Sequence, residues 1–192
     1  LGEEVVLTRD PGVLLAAPKV VLPGVGNFGD AMHKLESYGL VPVIHDVIDK
    51  KTPFLAICVG LQLLFEESEE APGVGGLSIL PGKIKKIPET ADLKVPQIGW
   101  NSLNFSHNAR ETHPEYHTEK SAIFKGVEEE SYVYFVHSYY LEATDPSIVT
   151  ATTEYGVHIH AAVEKDNIYA CQFHPEKSSV VGLKILQNFV EL

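Results

Sequence analysis

The stretch at residues 53–68, PFLAICVGLQLLFEES, restricts the fold more than any other part of the chain. Residues 54–57 are apolar without alternation. A strand that is apolar on both faces has to be covered on both faces, as in a parallel sheet with helices on either side. Cys58, Val59 and Gly60 follow at once. Leu61, Leu64 and Phe65 then recur at helical spacing with Glu66 and Glu67 opposite, which predicts a helix over 60–67. A strand that becomes a helix this abruptly places Cys58 on an elbow. A nucleophile there is exposed, and the N–H after it faces the same space. The helix N-terminus behind it favours negative charge and lowers the thiol pKa toward thiolate. A lone cysteine also reads as a small core residue, so the rest of the chain must decide.

The order of elements around this stretch is that of an α/β protein. VVLT (5–8) and KVVLPG (19–24) read as strands. GDAMHKLESYG and LVPVIHDVIDK read as helices separated by a turn at Gly39. The second half is β-rich: KIKKI, NSLNF, SYVYFVHSYYLEA, IVTATTEY, VHIHAAVEK and NIYACQF, before a closing helix, VVGLKILQNFVEL. Residues 106–120 are polar, lack periodicity and read as a surface loop. No repeat, linker or composition break divides the 192 residues, so residues 1–192 are expected to form one domain.

Composition excludes several classes of function. The net charge is −11 and no dense Lys/Arg run occurs, which argues against nucleic acid as a partner. No run of eighteen apolar residues and no export signal is present, so no membrane role is expected. Two cysteines allow one bridge at most, and a chain this Cys-poor reads as reduced and cytoplasmic. The acidic runs EESEE (66–70) and EEE (128–130) have the composition of solvated faces. His158 and His160 lie two apart on a strand, without a third ligand at metal spacing, so no metal is expected.

Two further segments carry chemistry. In CQFHPEKS (171–178), His174 precedes a proline and is pushed toward extended backbone. Residues i and i+2 of an extended chain share a face, so Glu176 can orient the imidazole. That is the base and its orienter in a triad. Cys171, among Ile168, Tyr169 and Phe173, reads as core. In LPGVGNFGD (22–30), three glycines follow a strand. Their spacing fits neither GxGxxG nor a Walker A loop. The peptide between Val25 and Gly26 is free to turn its N–H toward a developing oxyanion, with the N–H of Val59 as second donor.

Together these pieces resemble the class I, triad-type glutamine amidotransferases over about residues 5–191. LPGVGNFGDAM, AICVGLQLLFEES, VPQIGWNSL, YVYFVHSYY and CQFHPEKSS carry the likeness. Ala56 stands where the family usually has the first glycine of its elbow. The PGVGNFG turn, the GWN and the lysine after HPE resemble the branch that serves histidine biosynthesis. The resemblance implies a flavodoxin-like α/β fold, a parallel central sheet flanked by helices with a β-rich C-terminal half. It implies that Cys58 attacks the carboxamide of glutamine, that His174 shuttles protons and that Glu176 holds it. Val25, Gly26 and Val59 would form the oxyanion hole. Gln62 and Glu70 would grip the amino-acid end, with Glu70 on the α-ammonium, and the backbone of Ser138 and Tyr139 would line the same pocket. Trp100 and Lys177 would meet a partner, a cyclase subunit built as a (β/α)₈ barrel, in a heterodimer. No cofactor is implied.

Alternatives of the same fold are a glutaminase for another ammonia-using synthase, such as that of pyridoxal phosphate or GMP, and a catalytically silent binding subunit. The resemblance also implies an additional strand, Gly-rich turn and helix ahead of residues 3–8. Their lack would leave the sheet gapped or frayed at residues 5–8, and the chain poorly folded and weakly active.

Overall fold

The computed structural model describes residues 1–91, 93–108 and 111–192. Helix α1, Pro11–Ala16, starts where the Asp10 carboxylate accepts the N–H groups of Gly12 and Val13. Strand β1, Val20–Gly24, leads to α2, Phe28–Ser37, capped by the Asn27 side chain. Gly39, at φ +66°, turns the chain into α3, Leu40–Asp49. Strand β2, Phe54–Cys58, is buried at every residue and passes directly into α4, Val59–Leu63. The β-rich half follows: β3 Glu67–Ser68, β4 Gly82–Lys86, β5 Gln97–Ser102, β6 Asn104–Phe105, β7 Tyr132–His137, β8 Tyr139–Ala143, β9 Val149–Glu154, β10 His158–Lys165 and β11 Ile168–Cys171. Helix α5, Ser179–Val190, closes the chain.

The main sheet has the order β1-β2-β11-β10-β9-β6. Strands β1, β2 and β11 run parallel, and β10, β9 and β6 continue it antiparallel. The parallel part is where the unbroken apolar run sits, as burial on both faces demands. Phe28, Met32 and Leu35 of α2, Val43, Ile44 and Val47 of α3, and Ile185 and Phe189 of α5 share one core with β2. Two small sheets, β3-β4-β8 and β5-β7, complete the architecture.

Several expectations are corrected. Residues 5–8 form no strand. Val5 and Leu7 are 86% and 97% exposed, and β1 is an edge of the main sheet. A short apolar segment without a ladder partner gains too little to stay extended. The helix expected over 60–67 ends at Leu63, because the N–H groups of residues 76–80 take the carbonyls of Leu63, Leu64, Phe65 and Glu66. Gly76 makes this possible, since a Cβ there would lie 2.0 Å from the Phe65 carbonyl oxygen. SYVYFVHSYYLEA is two strands broken at Ser138, one half paired with β5 and the other with β4. NSLNF is likewise broken, at Leu103.

The loop at 106–120 is not wholly on the surface. Tyr116 is buried, and its hydroxyl meets Nε2 of His158 at 3.0 Å and Nε2 of His160 at 3.3 Å. Residues 109 and 110 of that loop lie outside the described residues. The acidic run 66–70 is solvent-exposed at Glu66, Glu67 and Glu69, as its composition suggests, and these carboxylates also tie down neighbouring backbone. Glu66 and Glu69 accept the backbone N–H groups of Gly82 and Lys86, and Glu67 pairs with Lys83.

Candidate active site

The elbow is built by two glycines that interlock. A Cβ on Gly60 would lie 2.1 Å from the Leu22 carbonyl oxygen, and one on Gly24 would lie 2.5 Å from the Gly60 nitrogen. The end of β1 and the start of α4 therefore pass closer than any side chain permits. Between them Cys58 is held at φ 55°, ψ −112°, a backbone region in which an L-residue is strained. Its thiol is not a resting thiolate, contrary to the expectation from the helix N-terminus. Burial pushes the Cys58 pKa up to about 11, and the N–H of Val59 and the amide of Gln172 offset only part of that. A five-residue helix has little dipole to set against desolvation.

His174 and Glu176 meet as expected, Nδ1 to Oε1 at 2.7 Å. The geometry differs from the extended chain that was expected, because Pro175–Lys177 form a 3₁₀ turn and only His174 is extended. Ser178 fastens this turn: its hydroxyl donates to the His174 carbonyl and accepts the Tyr134 N–H, while the His174 N–H donates to the Tyr134 carbonyl. The other ring nitrogen, His174 Nε2, is buried and has no hydrogen-bond partner among the described residues.

Val25, Gly26, Cys58, Val59, Gln62, Glu70, Ser138, Tyr139, His174 and Lys177 line a single cleft of about 410 Å³. That size suits a small ligand. Glu176 stands behind His174 rather than on the wall. Trp100 is also outside the wall. It lies half exposed on β5, edge-on to Tyr134 of β7 with ring centroids 6.0 Å apart. One oxygen of Glu70 accepts the Phe28 N–H at 2.7 Å, so the first turn of α2 orients this carboxylate.

The sequence reading missed four residues. Gln172 is fully buried beneath Cys58, with Nε2 3.7 Å from the sulfur. His137 lines the cleft: its Nδ1–H donates to the Tyr139 carbonyl (2.8 Å) and its Nε2 meets the Gln97 side-chain amide (2.9 Å), and burial lowers its pKa to about 4. Pro96 and Val136 complete the wall. The one available signal was a glutamine inside the otherwise apolar run that ends β11.

A buried thiol on an elbow shares this cleft with a histidine that has a carboxylate on one ring nitrogen, the residue types a nucleophile, base and orienter require. The family model for class-I glutamine amidotransferases matches residues 14–192. A solved glutamine amidotransferase superposes with a TM-score of 0.70 at 16% identity, covering 99% of this chain and 86% of the other. The structure of a putative GMP synthase component from Thermoplasma acidophilum gives 0.61 at 23% identity, covering 95% and 75%. At these identities the superpositions speak for the fold alone. The chain belongs to the class-I glutamine amidotransferases. Within that class it falls in the family of the imidazole glycerol phosphate synthase subunit HisH: it is 46% identical to that of Moorella thermoacetica over 100% of this chain and 85% of the relative, and 47% identical to that of Methanothermobacter thermautotrophicus over 100% and 88%.

Proposed function

We propose that this chain is the glutaminase subunit of an imidazole glycerol phosphate synthase and that Cys58, His174 and Glu176 carry its chemistry. The observation behind this reading is the free, buried Nε2 of His174 on the same cleft as the elbow thiol, with Glu176 on the opposite ring nitrogen. The Cys58 thiol gives its proton to His174 Nε2 as the sulfur attacks the δ-carboxamide carbon of glutamine. The N–H groups of Val59 and Gly26 stabilise the oxyanion once the peptide between Val25 and Gly26 has turned inward. The C–N bond then breaks, and the leaving nitrogen takes the proton from His174 and departs as ammonia. Water, deprotonated by His174, attacks the thioester. The C–S bond breaks, glutamate leaves, and the sulfur recovers its proton. A raised thiol pKa makes the histidine base necessary, since little thiolate exists beforehand.

Glu70 and Gln62 hold the α-ammonium, and the backbone of Ser138 and Tyr139 holds the carboxylate end. Ammonia is mostly protonated near neutral pH and ammonium is no nucleophile, so its transfer favours a docked acceptor. In this reading the partner is a cyclase with a (β/α)₈ barrel, met in a heterodimer at a face that includes Trp100 and Lys177. It joins the ammonia to a phosphoribosyl-type nucleotide, giving imidazole glycerol phosphate and a carboxamide ribotide. The compartment proposed is the cytoplasm, in keeping with the free thiols of Cys58 and Cys171.

The test is synthesis by the reconstituted pair with glutamine or with an ammonium salt. Cys58→Ala is expected to abolish the glutamine-supported reaction and to spare the ammonium-supported one. Glutamine-supported synthesis by Cys58→Ala would remove Cys58 from its role.

A further inference from the structure

The side chain of Gln172 has no part in the reaction just described, yet it lies between its two halves. It is fully buried. Its Oε1 accepts from Gln62 Nε2 at 3.0 Å, and its own Nε2 lies 3.7 Å from Cys58 Sγ. Gln62 Nε2 also donates to the Tyr139 carbonyl, at 3.1 Å.

The direction of this chain follows from one fixed acceptor. A backbone carbonyl can only accept, so the group of Gln62 that faces Tyr139 is its NH₂. The second hydrogen of that NH₂ points to Gln172, which must therefore present its oxygen. That leaves the NH₂ of Gln172 facing the sulfur. The amide orientations, ordinarily an assignment, are here set by the network. Two consequences follow. The sulfur has a buried donor behind it, and the oxygen of Gln62, which lines the cleft, has no hydrogen-bond partner among the described residues and is an acceptor suited to an ammonium group.

We propose that Gln172 is a catalytic residue of the glutaminase, holding the Cys58 sulfur as a hydrogen-bond donor while locking Gln62 in the orientation that receives the α-ammonium of glutamine. The inference rests on Cys58 being the nucleophile. A donor hydrogen bond to sulfur is stronger when the sulfur is charged, so Gln172 favours the thiolate over the thiol. It acts twice: as His174 takes the proton while the sulfur attacks, and when the sulfur leaves the thioester as thiolate. No proton passes through the amide in either step. The low dielectric around a fully buried group strengthens the effect.

The experiment uses the reconstituted complex with Gln172→Met, Gln172→Asn and Gln62→Met. Met keeps the volume and removes the donor and the acceptor. Asn keeps the amide but withdraws it by one methylene from the sulfur, and it serves if the Met variant does not fold. Thermal unfolding establishes folding in each case. The pH profile of Cys58 alkylation by iodoacetamide, read on the labelled peptide by mass spectrometry, reports the thiol directly. Gln172 variants are expected to move that profile up by about one pH unit, a tenfold slower alkylation at neutral pH, with kcat reduced tenfold or more. Gln62→Met removes the donor that fixes the Gln172 amide, so it is expected to raise KM and to move the alkylation profile in the same direction but by less than Gln172→Met. A folded Gln172 variant whose profile stays within twofold of the parent overturns the proposal. Labelling by an electrophilic glutamine analogue separates the two readings: if it modifies a residue other than Cys58, the nucleophile assignment has failed, whatever Gln172 does.

Discussion

Cys58 is both strained and desolvated, and each condition makes its own prediction. The φ of 55° belongs to backbone that glycine adopts freely. Cys58→Gly is therefore expected to be more stable than Cys58→Ala by about 1 kcal/mol, or about 2–4 °C in thermal midpoint for a chain of this size. Equal midpoints would show that the elbow stores no strain. Both variants are expected to lose glutaminase activity. His174 and Glu176 are unequal in a similar way. In the proposed mechanism His174 carries the proton, while Glu176, with its side chain 47% exposed, orients the ring through one hydrogen bond. His174→Ala is expected to match Cys58→Ala, and Glu176→Gln to retain measurably more turnover, because orientation is worth less than proton transfer. Equal losses in a steady-state glutaminase assay would count against this division. At this scale the sequence was most legible. The elbow cysteine and the HPE pair announce themselves by residue type and spacing. The thiol's pKa did not, because burial depends on segments such as Gln172 and Val136 that are remote in the chain.

Elements were legible where period and length agreed, as in α2, α3 and β2. They were not where long-range pairing overrode local pattern. The alternation in SYVYFVHSYYLEA runs on through Ser138, but β5 and β4 claim different halves and put a corner at the cleft. The polar loop at 106–120 gave no hint that Tyr116 would bury against His158 and His160. This packing has a consequence for pH. Burial lowers the pKa of His160, like that of His137, to about 4. In the unfolded chain both protonate near 6.5. Between those values the unfolded state binds more protons than the folded one, so stability is complete above pH 6.5 and falls as pH drops toward 4. By pH 5 each buried histidine is expected to remove about 2 kcal/mol. Denaturant unfolding at pH 7.5 and pH 5 measures this, and His137→Asn and His160→Asn should each flatten the difference. A pH dependence unchanged in both variants would refute the assignment. Residues 1–7, all exposed, make the opposite kind of element. Deleting them is expected to move the thermal midpoint by less than about 2 °C, since nothing packed is lost.

For the whole molecule, the cleft lies beyond the carboxyl ends of the three parallel strands. β1 leads to Val25 and Gly26, β2 ends at Cys58, and β11 leads to Gln172 and His174. Ligands bind at this end of open α/β sheets. The sequence supplied each piece as a strand followed by polar residues, but not the strand order that brings them together, because a run of apolar residues does not say which neighbour it pairs with. Three features of the site bear on a partner: His174 Nε2 has no hydrogen-bond partner among the described residues, the thiol is held protonated, and Val25 is 80% exposed beside a Gly26 at φ +91°. A Cβ at Gly26 would meet nothing within 4 Å, so the Val25–Gly26 peptide has room to turn. Docking of the partner on the exposed face around this peptide and Lys177 is expected to favour the inward orientation. One missing oxyanion donor is worth roughly 10²–10³ in rate. The chain alone should therefore release ammonia from glutamine at least about a hundredfold more slowly than the complex with its acceptor nucleotide bound. Lys177 is exposed on the rim of the cleft, so Lys177→Ala should cut this stimulation while leaving the thermal midpoint of the isolated chain unchanged. Ammonia release by the single chain at the rate of the complex would show that the oxyanion hole needs no partner to form.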